Sequence, residues 1–313
     1  MEKRKLGKSD LEVSIIGFGA WGIGGAPFWF TEGDAVSIRA IQKAFDGGIN
    51  FFDTAPVYGF GHSERLIAKA LKKRRDKVII ATKCGLRWKK ESASSIYKDC
   101  SSKSIRYEIE ESLRRLETDY IDLYQVHWPD ISTPFQETMR ELRLLQKEGK
   151  VLNIGLSNFT KEQMEECLKH GEFISFQSLY NMLERDLEKE EIPFCIDKKI
   201  GILTYSPLAS GILTGKYNKS VTFKDWRGKG IIGHFSGKIF EQHIDKVENL
   251  KNIAAKYGKK VHQLAINWLL AQKGITSAIV GVKKPSQVDE NMQSLGWNIL
   301  EEDMKKINKF LSL

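Results

Sequence analysis

A carboxylate and a phenol, Asp53 and Tyr58, sit in the segment Asn50-Phe51-Phe52-Asp53-Thr54-Ala55-Pro56-Val57-Tyr58-Gly59, just past a short apolar run. Lys83 ends the next apolar run and His127 the one after. Together they form the parts of a proton donor. A phenol with a pKa of about 10 is a poor acid or base at neutral pH. An ammonium beside it favours phenolate and lowers that pKa, while a carboxylate beside the ammonium keeps it charged in a partly buried place. His127 would then hydrogen-bond a substrate oxygen and fix its position. Such a set protonates an oxyanion as it forms, which is the task in reducing a carbonyl by hydride transfer, and it needs no metal. Each residue alone has a plainer use: Asp53 as a turn cap, Tyr58 in packing, Lys83 snorkelling, His127 as a turn histidine before Trp128-Pro129. The coincidence of four titratable types at equivalent places in neighbouring units argues against four plain uses.

The elements that must hold these groups alternate. Apolar strands are expected at Ile15–Gly19, Ile49–Phe52, Val78–Lys83, Tyr120–His127, Val151–Leu156, Ile174–Leu179, Ile200–Thr204 and Ser277–Val280. Helical periodicity separates them: a helix opened by Thr31–Asp34 and stopped at Gly47-Gly48, one capped by Ser63, and one opened by Ser104. Capping boxes are expected at Thr133-Pro134-Phe135-Gln136 and Thr160-Lys161-Glu162-Gln163. A charged helix follows around Glu188–Lys199, then two past residue 240, one after Pro285, and a last one over Glu301–Leu311. Residues 3–13 read as a hairpin, 84–103 as a long loop carrying Trp88, and 205–240 as an irregular stretch, a lid or a surface excursion, with glycines at 211, 215, 228, 230, 233 and 237. Eight strand–helix units without a linker predict one (β/α)₈ TIM barrel over residues 1–313, with an N-terminal β-hairpin and extra C-terminal helices; an open doubly wound sheet is the alternative. In a barrel, Asp53, Tyr58, Lys83 and His127 face one mouth.

Composition narrows the class. The excess of 49 Lys+Arg over 40 Asp+Glu, a net +9, is scattered along helices and strand ends. A scattered excess is a solvated surface that suits an anionic ligand and speaks against nucleic acid. No run reaches the ~18 apolar residues of a membrane span, and no secretory h-region follows the basic start. Cys84, Cys100, Cys167 and Cys195 form no CxxC pair, which predicts free thiols in a reducing cytoplasm and no zinc site. The glycine-rich stretch Gly17 to Gly25, containing Gly19 and Trp21, predicts a tight turn with pocket access. It is a poor dinucleotide fingerprint, since no helix opens at its last glycine and no acidic ribose ligand follows. Trp21, Trp29, Trp88 and Trp128 lie on or near loops expected to rim the pocket, which fits an apolar or aromatic carbonyl compound.

Several motifs in order, over nearly the whole length, resemble those of the aldo-keto reductase family. They are Phe52-Asp53-Thr54-Ala55 with Tyr58-Gly59 and Ser63-Glu64; Thr82-Lys83; Asp122-Leu123-Tyr124 with His127-Trp128-Pro129; Gly155 to Phe159; Tyr205-Ser206-Pro207-Leu208; and Gly281-Val282 with Glu290-Asn291. The resemblance implies a barrel binding an extended nicotinamide cofactor, usually NADPH, with NADH also possible, and a small carbonyl substrate. It implies Tyr58 as general acid, Lys83 and Asp53 as its tuning pair, and His127 as substrate orienter. Ser157, Asn158 and Gln177 would hold the carboxamide and Tyr205 would stack on the nicotinamide. Ser206, Leu208, Gly211 and Lys216 would line the pyrophosphate side, Gly281, Val282 and Lys283 the ribose phosphate strand, and Glu290 and Asn291 the adenine. Gly19 and Trp21 complete the cofactor set. Gln287 stands where many relatives carry an arginine, leaving Lys283 and Lys284 to pair with a 2′-phosphate as point charges. Two other readings are a cofactor-binding regulatory subunit, as some relatives are potassium-channel accessory proteins, and a Schiff-base lyase using Lys83. A monomer or weak oligomer is expected.

Overall fold

The computed structural model describes residues 1–229 and 233–311. In chain order, the hairpin β1 (Lys3–Lys5) and β2 (Glu12–Ser14) precedes β3 (Ile16–Gly19), α1 (Asp34–Asp46), β4 (Phe51–Asp53), α2 (His62–Leu71) and β5 (Ile79–Cys84). A second hairpin, β6 (Leu86–Trp88) and β7 (Ile96–Lys98), leads to α3 (Ser102–Leu116), β8 (Leu123–Val126), α4 (Phe135–Lys147), β9 (Ile154–Ser157) and α5 (Lys161–Leu168). Then come β10 (Ser175–Leu179), α6 (Glu191–Lys198), β11 (Gly201–Tyr205), α7 (Gly237–Lys256), α8 (Val261–Leu270), β12 (Ile275–Gly281), α9 (Pro285–Met292) and α10 (Glu301–Leu311). Strands β3, β4, β5, β8, β9, β10, β11 and β12 close into a parallel barrel in that cyclic order. The eight-stranded (β/α)₈ expectation holds and the open sheet is ruled out.

Side chains alternate across each strand, and this decides what lines the interior. Phe52, Ile80, Tyr124, Leu156 and Phe176 point outward into the core shared with the helices. Phe51, Ile79, Leu123, Leu203 and Ile279 point inward and pack with Leu6 and Val13 of the first hairpin, which closes the bottom of the barrel. One pleat further along, the same inward positions carry Asp53, Gln125 and Gln177, so the interior changes from apolar to polar on the way to the mouth.

Four local expectations need correction. The stretch 84–103 is not a bare loop: Leu86 to Trp88 pairs antiparallel with Ile96 to Lys98. Its half-exposed strands carry no clean alternation to read. Ser101, rather than Ser104, caps α3, its hydroxyl accepting from Ser104 N at 3.3 Å. Ser63 lies inside α2 and donates to Ala20 O at 3.0 Å, while left-handed Gly61 precedes the helix. Thr133 makes no capping box, because α4 starts at Phe135 with Pro134 in the N-cap position; the Thr133 hydroxyl donates to Asp130 at 2.7 Å. The Thr160 box forms as expected. The stretch 205–240 contains short 3-10 turns at Ala209–Thr214, Trp226–Lys229 and Gly233–Phe235 before α7; Gly230 lies outside the described residues.

Candidate active site

The quartet meets at the C-terminal ends of β4, β5 and β8. Lys83 Nζ, on a side chain 1% exposed, donates to Asp53 Oδ1 at 2.6 Å, to the Thr54 carbonyl at 2.9 Å and to Tyr58 Oη at 3.4 Å. The Tyr58 ring stands edge-on to His127, centroids 5.8 Å apart. Register explains the meeting: Asp53 pairs with Ala81, two residues before Lys83, and Lys83 pairs with Gln125, two before His127, so all three occupy positions of the same inward parity. Behind β5, Thr82 donates to Glu64 at 2.7 Å, and Glu64 is bound by Arg115 Nε at 2.5 Å.

Electrostatics departs from the expected tuning. Burial, reinforced by the Asp53 charge, pushes the Tyr58 phenol well above its ordinary value. The neighbouring ammonium does not reverse this, so the phenol holds its proton at neutral pH. Burial also lowers Lys83, with Asp53 acting against it. Burial, helped by the Lys83 charge, takes His127 well below the usual imidazole value and leaves it neutral. The result is a protonated phenol beside a neutral imidazole, two groups able to share a hydrogen bond with one oxygen atom.

The expected cofactor residues fall into two sets. Around the mouth, Asn158 has a left-handed backbone (φ 63°), donates to His127 O at 2.9 Å and accepts from Tyr205 Oη at 2.8 Å. Ser157 is buried and accepts from Asn158 at 3.1 Å. The Gln177 amide nitrogen is engaged by Asp53 Oδ2 at 2.8 Å, so its amide oxygen is the atom left to face a ligand. Past β11, Ser206, Ala209 and Ser210 are left-handed (φ 53°, 47° and 48°), followed by Gly211 at 104°. Such non-glycine residues are strained, and turns of this kind aim backbone N–H groups into an anion-holding concavity. Half-buried Leu208 lies within this turn, and Lys216 follows it, exposed, its amine 4.9 Å from the Tyr217 ring centroid. Gly281 pairs with Gly19 across the barrel seam, and Val282 beside it is buried. Lys283 Nζ lies 4.0 Å above the Trp29 ring, and burial with repulsion from Arg227 pushes it down to about 8. The second set stands on or before α9. Gln287 Oε1 accepts from the Lys283 and Lys284 amides at 2.8 and 3.3 Å, Glu290 is exposed with Lys260 3.9 Å away, and Asn291 is buried. Gln287 therefore caps its own helix.

Three features were missed in the sequence. Gln125 donates to Asp53 Oδ2 at 3.2 Å; it is the inward polar residue in Leu123-Tyr124-Gln125-Val126, a signal that strand alternation offered. Trp226 packs 5.7 Å from both Trp21 and Trp29, and Arg227 pairs with Asp225 at 2.6 Å while donating to Ser210 O at 3.0 Å. Residues 225–227 thus lie against the glycine-rich loop, and no periodicity marked them. Of the expected rim, Trp21 is 6.3 Å from Tyr58 and Trp88 is 5.4 Å from Phe60.

The glycines of the first loop serve the protein's own chain. A Cβ on Gly24 would meet the Tyr58 carbonyl carbon at 2.8 Å, and left-handed Gly59 (φ 60°) lies against the Gly24 carbonyl. This backbone contact seats Tyr58. Gly59→Ala is expected to cost on the order of 2 kcal/mol or more, from αL strain plus overlap with Gly24. Urea unfolding checks it, and a midpoint equal to the parent's would show that the contact yields freely.

A closed parallel barrel with four titratable groups at the strand ends defines a class of enzyme-like scaffold. The sequence profile of the aldo/keto reductase family matches residues 15–312, and the chain belongs to that family. It is 40% identical to aldo-keto reductase YhdN of Bacillus subtilis over 99% of this chain and 94% of that one. It is 37% identical to a protein of Escherichia coli named NADH-specific methylglyoxal reductase, covering 97% of this chain and 96% of the other. Among solved structures, the glycerol dehydrogenase AKR11B4 from Gluconobacter oxydans superposes with a TM-score of 0.91 at 36% identity, over 99% of this chain and 95% of that one. Proteins of this family use nicotinamide cofactors and act on small carbonyl compounds. Among the described residues no helix is long and apolar enough to cross a membrane, and no group of three or more His, Cys, Asp or Glu is placed to hold a metal.

Proposed function

We propose that the chain, acting as one domain over residues 1–313, reduces a small aldehyde or ketone to the alcohol, with Tyr58 as the proton donor. The observation that carries this is the contact of buried Lys83 Nζ with both Asp53 Oδ1 at 2.6 Å and Tyr58 Oη at 3.4 Å, beside His127. A reduced nicotinamide cofactor supplies the hydride. The residues present fit such a group: the left-handed turn after β11 suits a diphosphate, and Ser157, Asn158 and the free oxygen of Gln177 suit a carboxamide. Tyr205 would lie under the ring. Within that arrangement His127 and Tyr58 hold the carbonyl oxygen, and Tyr58 releases its proton to it as charge develops. The Lys83 ammonium then stabilises the phenolate left behind.

Lys283, Lys284 and Lys216 support NADPH as the cofactor. NADH is the second reading, favoured by Gln287, which is engaged on backbone amides, and by the name of the Escherichia coli relative. Titrating both cofactors against tryptophan fluorescence, then assaying an aldehyde panel with the tighter one, tests the proposal. Turnover is expected on small aldehydes. Tight cofactor binding without turnover on the whole panel would overturn it in favour of a regulatory subunit. A lyase using Lys83 is disfavoured, since the amine is engaged with three partners. The cytoplasm and a monomeric or weakly associated state complete the proposal.

A further inference from the structure

The Asp53 carboxylate is held from three sides. Lys83 takes Oδ1 at 2.6 Å, while Gln177 and Gln125 both donate to Oδ2, at 2.8 and 3.2 Å. The two amides also bond each other, Gln177 Nε2 donating to Gln125 Oε1 at 3.2 Å. Gln125 is 0% exposed and sits one pleat above Leu123 and one below His127 on β8. An apolar residue would fill this place and continue the Leu123 layer. A buried amide is costly unless its hydrogen bonds are made, and the donor here is spent on Asp53. Each bond to Oδ2 further restricts the turning of the Asp53 carboxylate about its Cβ–Cγ bond, and two amides that also bond each other restrict it more than one.

We infer that Gln125 is a positioning residue: with Gln177 it locks the Asp53 carboxylate so that Oδ1 stays on Lys83, keeping the ammonium charged beside Tyr58. The inference rests on the proposed reductase reading for its catalytic consequence but not for its structural one. The groups that face Lys83 are Asp53, Tyr58 and the Thr54 carbonyl from the β4 end, and His127 from β8. Gln177 faces the same carboxylate from β10, Tyr205 lies beside Tyr58 from β11, and Glu64 acts on Lys83 from α2 behind the strand. Burial opposes the charge on Lys83 and Asp53 sustains it. Without Gln125, Oδ2 keeps only the Gln177 bond and Gln177 loses its own acceptor on Gln125, so Asp53 is held less firmly, burial gains and the amine loses its proton at lower pH.

The test uses Gln125→Met, which keeps volume and removes the donor, and Gln125→Asn, which keeps an amide but is one methylene too short to reach Asp53. In protein labelled with ¹³C at lysine Cε, with Lys83→Met for assignment, Lys83 is expected to titrate at lower pH in Gln125→Met than in the parent. The alkaline limb of kcat should move with it, kcat falling roughly tenfold while KM changes less than twofold. Gln125→Asn should shift in the same direction as Gln125→Met, and it decides the matter if Gln125→Met does not fold. An unmoved Lys83 titration in either folded variant overturns the inference. A moved titration with an unmoved rate profile supports the lock and counts against the reductase reading instead.

Discussion

Tyr58→Phe is expected to keep cofactor binding within about twofold and to lower kcat by roughly 10²–10⁴, the range that general acid catalysis contributes. The hydroxyl is the atom that touches Lys83 at 3.4 Å, while the ring keeps its edge-on contact with His127 at 5.8 Å, so removing one atom leaves the packing in place. The raised phenol value gives the loss its character. The parent holds the proton through neutral pH, so its rate should decline only in alkali, and the variant should have no proton of its own to give. Steady-state kinetics on the best aldehyde of the panel, with fluorescence titration of the cofactor, checks this. A kcat within threefold of the parent's would remove Tyr58 from the reaction.

The second large effect is on stability. Glu64 is 0% exposed and its two oxygens are taken by Thr82 at 2.7 Å and Arg115 at 2.5 Å. Removing one partner of a buried ion pair leaves a stranded charge, at about 3–5 kcal/mol, whereas replacing both with apolar residues is often close to neutral. Arg115→Met is therefore expected to cost about that much, and Glu64→Leu/Arg115→Met much less. Urea unfolding of the parent, the single variant and the double variant measures the difference. Equal losses in the single and double variants would show that the pair acts through packing alone. Because Thr82 neighbours Lys83, weaker variants of this pair should also disturb the active site.

The barrel was legible in the sequence for a physical reason. Parallel strands covered on both faces are apolar throughout, and stretches such as Val78 to Thr82 stand out against helices with polar outer faces. The chemical quartet was legible because Asp53, Lys83 and His127 interrupt those runs at their ends. The hairpin of Leu86 and Ile96 was not, since its strands are half-buried or exposed and carry no core-facing pattern. Thr133 failed as a cap because the helix starts one residue later than the proline suggested, leaving Pro134 in the cap position. The direction of the Tyr58 shift was misjudged because spacing shows which charges are near but not how dry the place is. That the Gln287 amide oxygen accepts from two backbone amides was likewise not legible, because spacing does not show where a side chain turns.

The hairpin that packs Leu6 and Val13 against Phe51, Leu123 and Leu203 makes the barrel a cup. A cup has one opening, so whatever reaches Tyr58 must depart by the route it took inward. In the proposed reductase, a hydride donor and a carbonyl compound would have to share that opening, and the one lying deeper would have to arrive first and depart last. The constraint on traffic at the mouth would thus come from the opposite end of the molecule, from a hairpin of three-residue strands.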